Sequence, residues 1–563
     1  MNALQPRTLN ELLNRSVERF PDLPAVSFVD ENPVSFRDLA TLVKATSREL
    51  ISRGVAPGDR VAILSENMPN WGIAYLAVTT MNSVAVPVLP DFAPAEVGNI
   101  LEHAGAKTVF VSRRLEPKLP ANSSYTTIIL DDLQSVVGPA AGSQPAPHGG
   151  TDSASDAAVV DDPARIPDED DLAVVIYTSG TTGSSKGVML THRNIASNVE
   201  AARPIAEMKA GECMVSLLPL SHTYECTIGF LVPLSAGVCV YYLDKPPSPT
   251  VLMPALAKIR PHLMLSVPLF MEKIYRAKVA PKLNGSAILR AAGRIPFLRK
   301  VLHRAAGKKV MATFGGRLHF FGIGGAAVAP DTERFMRDAR FPYAVGYGLT
   351  ETAPLLAGCG PTTTVFRSTG PALEGVEIRV ADPDPATGEG ELQARGPNVM
   401  RGYYRDPERT AEVFTEDGWF RTGDLGTIDE KGNVFIRGRL KNMILGPSGE
   451  NIYPEEIEAV IAAQPMVQDC LVLQKGGQLV ALVNLNLDAF KEYLGGMRDD
   501  VSDEIDRLKA EAEKFLDQMR GQINAQLSAF ARISRCIPQL EPFEKTPTMK
   551  IKRYLYESRL NAG

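Results

Sequence analysis

The stretch YTSGTTGSSKGV, at residues 177–188, decides how this chain folds around its site. The apolar run LAVVI (172–176) stands just before it and has the composition of a buried strand. The loop that follows holds glycines, small hydroxyl side chains and one cation, Lys186. Because such a loop leaves many backbone N–H groups free to point at an anion, it is typical of phosphate binding. The sequence therefore predicts a strand that feeds a phosphate-binding loop.

This loop differs from the P-loop of nucleotide-binding proteins, whose pattern is G-x-x-x-x-G-K-[ST]. Counted from Gly180, the second glycine of that pattern is replaced by Ser185, and Lys186 is followed by Gly187. The loop therefore serves another kind of phosphate chemistry.

Length and composition narrow the class of protein. The 563 residues exceed what one hydrophobic core holds, so at least two domains are predicted. The net charge of −5 argues against nucleic acid as a partner. Six scattered cysteines without a C-x-x-C pair predict reduced, buried thiols. The chain shows no apolar run of membrane-span length, no signal-peptide core and no peroxisomal ending, so we expect a cytoplasmic enzyme.

The composition and the pattern of apolar residues change along the chain. From 50 to 130, apolar runs alternate with a helical stretch at 71–81, which predicts an α/β architecture with a largely parallel sheet. Segment 138–171 is rich in Gly, Pro, Ala, Ser and Asp, and we predict a flexible surface excursion. From about 371, short strands and Asp/Gly/Pro turns predict an antiparallel region. The predicted strands of the first region are RVAILS (60–65), VAVPVL (84–89), TVFVS (108–112) and TTIIL (126–130).

A smaller α+β tail is predicted after GRLKNMIL (438–445). Within it, apolar residues recur at helical spacing, which predicts a helix with one buried face. These residues are Ile505, Leu508, Phe515, Leu516, Met519, Ile523 and Leu527.

Five further motifs accompany the loop in a fixed order. Among them, we interpret RTGDL as a tight turn that presents the carboxylate of Asp424. A separate stretch outside the five, RLHFFGIGG (317–325), is interpreted as a strand that ends in a glycine turn. The motif YGLTET combines an aromatic ring, a hydroxyl and a carboxylate after a strand. The five motifs are LPLSHTYE (218–225), YGLTET (347–352), RTGDL (421–425), GRLKN (438–442) and TPTMKIKR (546–553).

This ordered set resembles the adenylate-forming superfamily of acyl-CoA synthetases, adenylation domains and luciferases, over roughly residues 10–555. The amino-acid sequences of these motifs are most similar to those of long-chain fatty acid–CoA ligases. The resemblance implies an α/β fold with a large multi-subdomain N-terminal domain (1–437) that includes an antiparallel β region. A small mobile α+β C-terminal domain (438–563) would follow, with its hinge near Lys441.

In this family a carboxylate attacks the α-phosphate of ATP, and the thiol of coenzyme A then displaces AMP. The resemblance implies that Thr350 contacts the α-phosphate and that Glu351 holds Mg²⁺, a cation that prefers oxygen ligands. Asp424 would accept hydrogen bonds from the ribose hydroxyls, and Arg439 would contact the ribose or phosphates. The loop implied to hold the outer phosphates comprises Thr178, Ser179, Gly180, Thr181, Thr182, Gly183 and Lys186. The adenine would lie against Tyr347 and Gly348, beside Gly324, Gly325 and Ala326.

The resemblance also assigns the acyl side and the moving domain. Lys550 would bridge the acyl carboxylate and the α-phosphate, although Met549 stands where many members have glycine. Rotation at Lys441 would then bring Gly449 to the coenzyme A channel. His222 would position the carboxylate or gate its entry. The acyl pocket is implied to contain His222, Tyr224, Val267 and Gly348.

Three questions stay open at this level. The acid is predicted to be a long- or medium-chain fatty acid, with another apolar or aryl acid as the alternative. The acyl group could pass to a carrier protein instead of coenzyme A, and a third possibility is a binding protein that kept the fold. Segment 281–316 has eight Lys or Arg, no Asp or Glu, and spaced apolar residues. We hypothesise that it meets the inner face of an anionic membrane as a peripheral contact and collects fatty acids there. The alternatives are a solvated basic face and a face that attracts the phosphates of coenzyme A.

Overall fold

A computed structural model describes residues 3–121, 125–134, 165–178, 185–446, 451–464, 466–494, 503–546 and 550–562. Most of the predicted excursion at 138–171 lies outside these ranges, and residues 165–171 form turns that lead into the strand before the phosphate-binding loop. Among the described residues, no helix is both long and apolar enough to cross a membrane.

The strands of the described chain are β1 (Pro24–Phe28), β2 (Val34–Ser35), β3 (Arg60–Leu64), β4 (Val84–Val88), β5 (Thr108–Val111), β6 (Thr126–Ile129), β7 (Leu172–Thr178), β8 (Lys186–Thr191), β9 (Cys213–Val215), β10 (Cys239–Tyr242), β11 (Leu263–Ser266), β12 (Phe320–Ile323), β13 (Tyr343–Val345), β14 (Tyr347–Gly348), β15 (Leu355–Ala357), β16 (Glu377–Ala381), β17 (Gly390–Arg395), β18 (Gly402–Tyr403), β19 (Phe420–Ile428), β20 (Val434–Arg439), β21 (Ile444–Leu445), β22 (Asn451–Ile452), β23 (Val467–Lys475), β24 (Gln478–Leu485) and β25 (Ile533–Pro538).

The α-helices of the same ranges are α1 (Leu9–Arg19), α2 (Phe36–Ser52), α3 (Pro69–Thr80), α4 (Pro94–Ala104), α5 (His192–Ala202), α6 (Val232–Ala236), α7 (Pro249–Ile259), α8 (Pro268–Ile274), α9 (Ala280–Asn284), α10 (Ala287–Arg294), α11 (Pro296–Thr313), α12 (Pro330–Ala339), α13 (Pro407–Glu412), α14 (Pro454–Ala462), α15 (Leu487–Tyr493), α16 (Asp503–Asn524) and α17 (Arg553–Ala562). Two π-helical segments, Tyr224–Leu231 and Tyr275–Val279, lie among them.

The first large sheet has the strand order β18-β8-β7-β4-β3-β5-β6. The strands from β7 to β6 run parallel, and β8 and β18 add antiparallel pairs at one edge. The four strands predicted between residues 60 and 130 are all present, and the predicted helix at 71–81 is α3. Their apolar runs are continuous because helices cover both faces of a parallel sheet.

The second large sheet has the order β13-β12-β11-β9-β10-β1-β2, with every pair parallel except β1 with β2. In a parallel sheet the carboxyl ends of neighbouring strands lie along the same edge, where ligands bind. Val267 follows β11, Gly324 follows β12 and Tyr347 lies just beyond β13. The topology therefore brings these predicted site residues to the same edge.

An antiparallel sheet of β16-β17-β19-β20 follows, as the sequence texture from residue 371 predicts. The interpretation of RTGDL as a tight turn is wrong, because Asp424 lies within the nine-residue strand β19. Gly423 has a φ of +68°, a backbone conformation that glycine adopts without steric cost. The irregularity that glycine allows distorts the pairing of β19 but does not end the strand.

The C-terminal part builds its own core. Strands β23, β24 and β25 form one sheet, and α14 and α16 pack on it. The apolar stripe predicted along 505–527 lies in and just beyond α16, and Leu516 and Ile523 are fully buried. This core is a separate cluster from the cores beneath the two large sheets, as expected for a second domain. The division at 437/438 itself stays a prediction, and β20 runs on to Arg439.

Replacing Leu516 with alanine should lower the free energy of unfolding of the C-terminal part by about 2–5 kcal/mol, because the change leaves a cavity in its core. Urea denaturation measures the loss. Lys514→Ala on the exposed side of the same helix is the matched control and should change stability by less than about 0.5 kcal/mol. Equal losses for both variants would contradict the assignment of the buried face.

Candidate functional site

The phosphate-loop motif begins and ends on paired strands. Thr178 is the last residue of β7, Lys186 is the first of β8, and the two are register partners. The hydroxyl oxygen Oγ1 of Thr178 is buried and has no hydrogen-bond partner in the described part of the chain. Ser179, Gly180, Thr181, Thr182 and Gly183 lie outside the described residues. The strands therefore place both ends of the loop at the site edge.

Lys186 forms an ion pair with Glu351, with 2.7 Å between Nζ and Oε1. Tyr403 completes a triangle, since its hydroxyl lies 2.6 Å from Nζ of Lys186 and donates to Oε1 of Glu351 at 2.9 Å. Burial acts to raise the pKa of Glu351, but the charge and hydrogen bond of Lys186 outweigh it and hold the pKa below its usual value. Glu351 is therefore an ionised carboxylate at neutral pH.

Sequence reasoning missed Tyr403. It lies on the short strand β18, which pairs with β8, the strand that begins at Lys186. The only signal was the pair of tyrosines in RGYYRD (401–406), which also suits a buried edge strand. The side chain became identifiable as part of the site only from its contact with Glu351.

A second polar group lies around Asp424. The hydroxyl of Tyr347 donates to Oδ2 of Asp424 at 2.8 Å, and Nε of Arg439 lies 2.9 Å from Oδ1. Burial raises the pKa of Asp424, while the charge of Arg439 opposes that effect. Asp424 and Arg439 are register partners on β19 and β20, so the sheet itself sets their separation.

Lys550 and Lys441 bring more positive charge to the same place. Surrounding protein lowers the pKa of Lys550 and the charge of Arg439 lowers it further, against the opposite effect of Asp424 and Glu351. Partial enclosure by protein likewise lowers the pKa of Lys441, and the charges of Arg439, Lys550 and Lys186 lower it further. Both residues keep exposed surface, so they line an open cleft and not a closed core. Four cations therefore face two carboxylates, an excess that suits a polyphosphate anion.

The glycine turn after β12 is shaped by its neighbours. A Cβ on Gly324 would come within 3.1 Å of the Tyr224 ring, and Gly325 has a φ of +86° beside Val267. Gly348 allows a still closer approach, because a Cβ there would lie 1.9 Å from the carbonyl oxygen of Pro354. Ala326 and Gly348 are exposed. The turn thus leaves backbone open to a flat or narrow ligand.

His222 lies just before the π-helical segment Tyr224–Leu231. Its Nδ1 accepts a hydrogen bond from the backbone N–H of Tyr224 at 3.2 Å, so the neutral ring carries its proton on Nε2. The residue keeps some exposed surface, but enclosure by protein lowers its pKa to about 4, with a further contribution from the charge of Lys550. At neutral pH His222 is an uncharged donor.

Glu225, next in the motif, was not singled out from the sequence. Its side chain is fully buried, and its Oε1 accepts a hydrogen bond from the hydroxyl of Ser216 at 2.5 Å. Burial raises the pKa of Glu225 to about 8. A lone acid within the apolar run TYECTIGFL was the available signal. It helps to hold the segment that carries His222.

The remaining predicted residues are distributed as follows. Thr350 and Glu351 begin a short 3-10 turn after β14, and Thr350 is half-buried. Lys441 lies in the 3-10 turn Leu440–Asn442 that leads out of β20. Gly449 lies outside the described residues. The structure thus gathers Lys186, Glu351, Asp424, Arg439, Lys441, Lys550 and His222 around one cleft.

A pocket of about 260 Å³ lies elsewhere, lined in part by Cys213, Cys239 and His262. These residues stand at or just before the amino ends of β9, β10 and β11. Ligands of α/β sheets bind at the carboxyl ends of the strands. The cleft with the charged groups is therefore the better candidate site.

Comparison with known proteins agrees with this geometry. Residues 13–404 match the family described as AMP-binding enzyme. The chain is 29% identical to long-chain-fatty-acid–CoA ligase FadD15 of Mycobacterium bovis, over 92% of this chain and 90% of that protein. It is 28% identical to 4-coumarate–CoA ligase 2 of Oryza sativa subsp. japonica, over 83% and 80%. The ATP-bound crystal structure of MatB from Rhodopseudomonas palustris superposes with a TM-score of 0.73 at 26% identity, covering 98% of this chain and 99% of that one.

The position of Lys550 can be tested through His222. The Lys550→Met variant should raise the pKa of His222 above about 4, because it removes a nearby positive charge that opposes protonation. Titration of the imidazole by NMR measures the change. The control Lys552→Met should leave that pKa unaltered, and an unaltered value in the Lys550 variant would mean that Lys550 does not lie over the site in solution.

Proposed function

We propose that this chain, which belongs to the AMP-binding enzyme family and is an AMP-forming acyl-CoA ligase, activates long- or medium-chain fatty acids. Its substrates would be the fatty acid, ATP and coenzyme A. The observation that carries the proposal is the cleft in which four cations face two carboxylates next to a neutral histidine. Such a cleft binds a triphosphate at one end and admits a less polar acid at the other.

The ATP end follows from the charge arrangement. Lys186 and the hydroxyl of Thr178 would contact the outer phosphates with the rest of the loop, and Thr350 the α-phosphate. Asp424 would accept hydrogen bonds from the ribose, while Arg439 would share its charge between Asp424 and the nucleotide. The ring of Tyr347 would lie against the adenine beside the glycine turn. These roles use side chains that already lie at one edge of the sheets.

The ionised and largely buried Glu351 fits Mg²⁺, since a carboxylate is the hard oxygen ligand that this cation prefers. Bound there, Mg²⁺ would supply neutralisation of phosphate charge. Lys186 and Tyr403 already hold the carboxylate of Glu351 in place. Lys186 and Tyr403 therefore position the carboxylate that would bind Mg²⁺.

The first chemical step joins two anions, so the chain must offset their repulsion. An oxygen of the fatty-acid carboxylate forms a bond to the α-phosphorus, and the bond to the pyrophosphate oxygen breaks. Lys550 would hold the carboxylate and α-phosphate together, and the Nε2 proton of His222 would orient the carboxylate. No protein nucleophile or general base is needed, which agrees with the low pKa of His222.

The acyl chain would enter beside Tyr224 and Val267. The π-helical segment behind Tyr224 is buried from Glu225 to Leu231 and mostly apolar. Gly322 and Gly324 let the Tyr224 ring lie close against β12, since a Cβ on either would come within 3.1 Å of that side chain. Each methylene that leaves water contributes about 0.8 kcal/mol, which favours longer chains in such surroundings. The similarity to the ligase of M. bovis supports the same substrate class.

The second step passes the acyl group to the coenzyme A thiol. The thiolate attacks the acyl carbon and AMP leaves. We propose that the C-terminal domain rotates at Lys441, which withdraws Lys550 and brings Gly449 to the thiol channel. The turn Leu440–Asn442 is a short connection between β20 and that domain, so a change of a few backbone angles there would move it as a unit.

The enzyme is proposed to act in the cytoplasm with a peripheral contact at the inner face of a membrane, where long-chain acids accumulate. The similarity to 4-coumarate–CoA ligase 2 favours a second candidate, an aryl acid as substrate. Transfer to a carrier protein would be the other variation of the second step.

A ladder of acids distinguishes these candidates. Purified protein with ATP, Mg²⁺ and coenzyme A should form acyl-CoA most efficiently with acids of about 8–18 carbons, because the apolar pocket gains roughly 0.8 kcal/mol per buried methylene. Mass spectrometry of the thioesters gives kcat/KM for each acid. A maximum with aryl acids would replace the proposed substrate class, and adenylate that persists despite coenzyme A would favour a carrier acceptor.

Measuring adenylation and thioester formation separately tests whether Lys550 acts only in adenylation. The Lys550→Ala variant should lose adenylation by about 100-fold or more, since a charge contact to the reacting groups is removed. It should form thioester from supplied acyl-adenylate at nearly the normal rate. Pyrophosphate release and thioester formation measure the halves, with Lys552→Ala as the control, and equal loss of both halves would refute the proposed role.

Exchange of Tyr403 for phenylalanine should reduce kcat/KM for ATP about tenfold, because Glu351 loses a hydrogen bond that holds its charge. The neighbouring change Tyr404→Phe is the matched control, and neither substitution alters the backbone pairing of β18. Pyrophosphate-release kinetics provide the measurement. Equal activity of both variants would show that Tyr403 does not position Glu351.

A further inference from the structure

Helices α10 and α11 carry an apolar and basic surface that the chemistry above does not use. Its largest apolar side chains are strongly exposed, with 81% of Ile288 and 73% of Phe297 accessible. None of the residues of α10 is buried. We define the apolar–basic surface as the apolar residues Ile288, Ile295, Phe297, Leu298 and Val301 with the cations Arg290, Arg294, Lys300, Arg304, Lys308 and Lys309.

The inner side of α11 is firmly attached to the fold. Arg299 and His303 both reach Asp338 on α12, at 2.8 Å and 3.2 Å. One turn further on, Gly307 lies against Ala339, where a Cβ would come within 2.6 Å of the alanine side chain. These attached positions are four residues apart, so they share one helix face.

The outer side follows from the same periodicity. Phe297, Val301, Arg304 and Lys308 stand at spacings of three and four residues and lie opposite the attached face. The exposed apolar and basic side chains of α11 therefore project together into solvent from an anchored helix. This arrangement is fixed by the fold and does not depend on a flexible segment.

The charge of the surface has one sign. No Asp or Glu occurs from 281 to 316. Within the described ranges, no carboxylate pairs with Arg294, Lys300, Arg304, Lys308 or Lys309. Cations placed around exposed apolar side chains match the boundary of a bilayer that contains anionic lipid. A protein partner fits less well, since the core of a protein interface is depleted in charged residues and this surface places six cations around its apolar side chains.

We propose that the apolar–basic surface docks on an anionic lipid bilayer, with Ile288 and Phe297 inserted among the lipids and the cations at the headgroups. The role in substrate uptake rests on the proposed fatty-acid ligase function, whereas the docking does not. The helical lobe that bears the surface begins directly after Val267, and its successive elements pack on one another from α8 to α11. Val267 and Leu269 are themselves exposed, at 37% and 41%. Docking would therefore hold the acyl entrance near the membrane.

Vesicle flotation with the full chain tests the docking. Vesicles of phosphatidylglycerol and phosphatidylcholine should bind the protein at least tenfold more tightly than vesicles of phosphatidylcholine alone, and the difference should shrink in high salt. The double variant Ile288→Ser/Phe297→Ser should weaken binding to anionic vesicles about tenfold. Lys300→Glu/Arg304→Glu should remove the preference for anionic lipid.

The matched control is Ile166→Ser/Phe530→Ser, which removes two exposed apolar side chains elsewhere and should bind like the unaltered protein. Circular dichroism checks that each variant is folded. Absence of binding to anionic vesicles in low salt, or unchanged binding by Ile288→Ser/Phe297→Ser, would overturn the proposal. Self-association that these two substitutions abolish, without lipid binding, would instead assign the surface to a second copy of the chain.

Activity assays keep the two proposals separate. With a water-soluble acid of eight carbons, the surface variants should keep the kcat/KM of the unaltered protein, and with acid supplied in anionic vesicles they should lose about tenfold. If the protein binds vesicles but activates no fatty acid, the docking stands and the substrate class falls. If the surface variants activate vesicle-supplied fatty acids as well as the unaltered protein does, the proposed uptake route is wrong.

Discussion

The ion pair between Lys186 and Glu351 is the contact on which the rest of the site depends. Lys186 belongs to the first large sheet, and Glu351 follows β14, the short strand that comes after the edge strand β13 of the second large sheet. The pair therefore ties the first large sheet to the segment that leads out of the second. Tyr403 closes the triangle from β18, so three distant parts of the chain meet at one carboxylate oxygen. The largely buried carboxylate keeps its charge because Lys186 pairs with it and the hydroxyl of Tyr403 donates a second hydrogen bond to the same oxygen.

Amide side chains fix the turn that presents this carboxylate. Asn198 and Asn398 both donate to the carbonyl oxygen of Leu355, and the backbone N–H of Met400 donates to the carbonyl oxygen of Glu351. These bonds satisfy carbonyls in a loop that would otherwise bury them unpaired. The second polar group, around Asp424, is positioned differently, by the register of β19 against β20. One half of the site thus rests on side-chain amides and the other on a strand ladder.

The surplus of cations explains why two domains share the cleft. Without a polyphosphate, Arg439, Lys441 and Lys550 repel one another, and this repulsion is one cause of the lowered pKa of both lysines. ATP would offset that repulsion, and departure of pyrophosphate, which leaves only the α-phosphate of the adenylate, would restore part of it. Departure of a product would then favour separation of the domains, which links the charge balance to the proposed rotation. On the acyl side, the uncharged His222 and the apolar segment after it leave no comparable repulsion.

The pattern of apolar and turn residues was enough to predict the α/β fold, the antiparallel region and the apolar stripe of α16. Those features are local, because strand periodicity, glycine turns and helical spacing arise within a few residues. The candidate residues of the cleft came instead from the family resemblance that the ordered motifs carry. Tertiary structure alone decided that Asp424 lies in a strand, that Tyr403 reaches Glu351, and that Glu225 is a buried acid. It also decided which face of α11 is attached and which is exposed. The contact of Tyr403 with Glu351 and that of α11 with Asp338 join distant segments, and such a contact has no period or spacing by which one sequence could reveal it. The strand at Asp424 and the burial of Glu225 depend on how the surrounding elements pack.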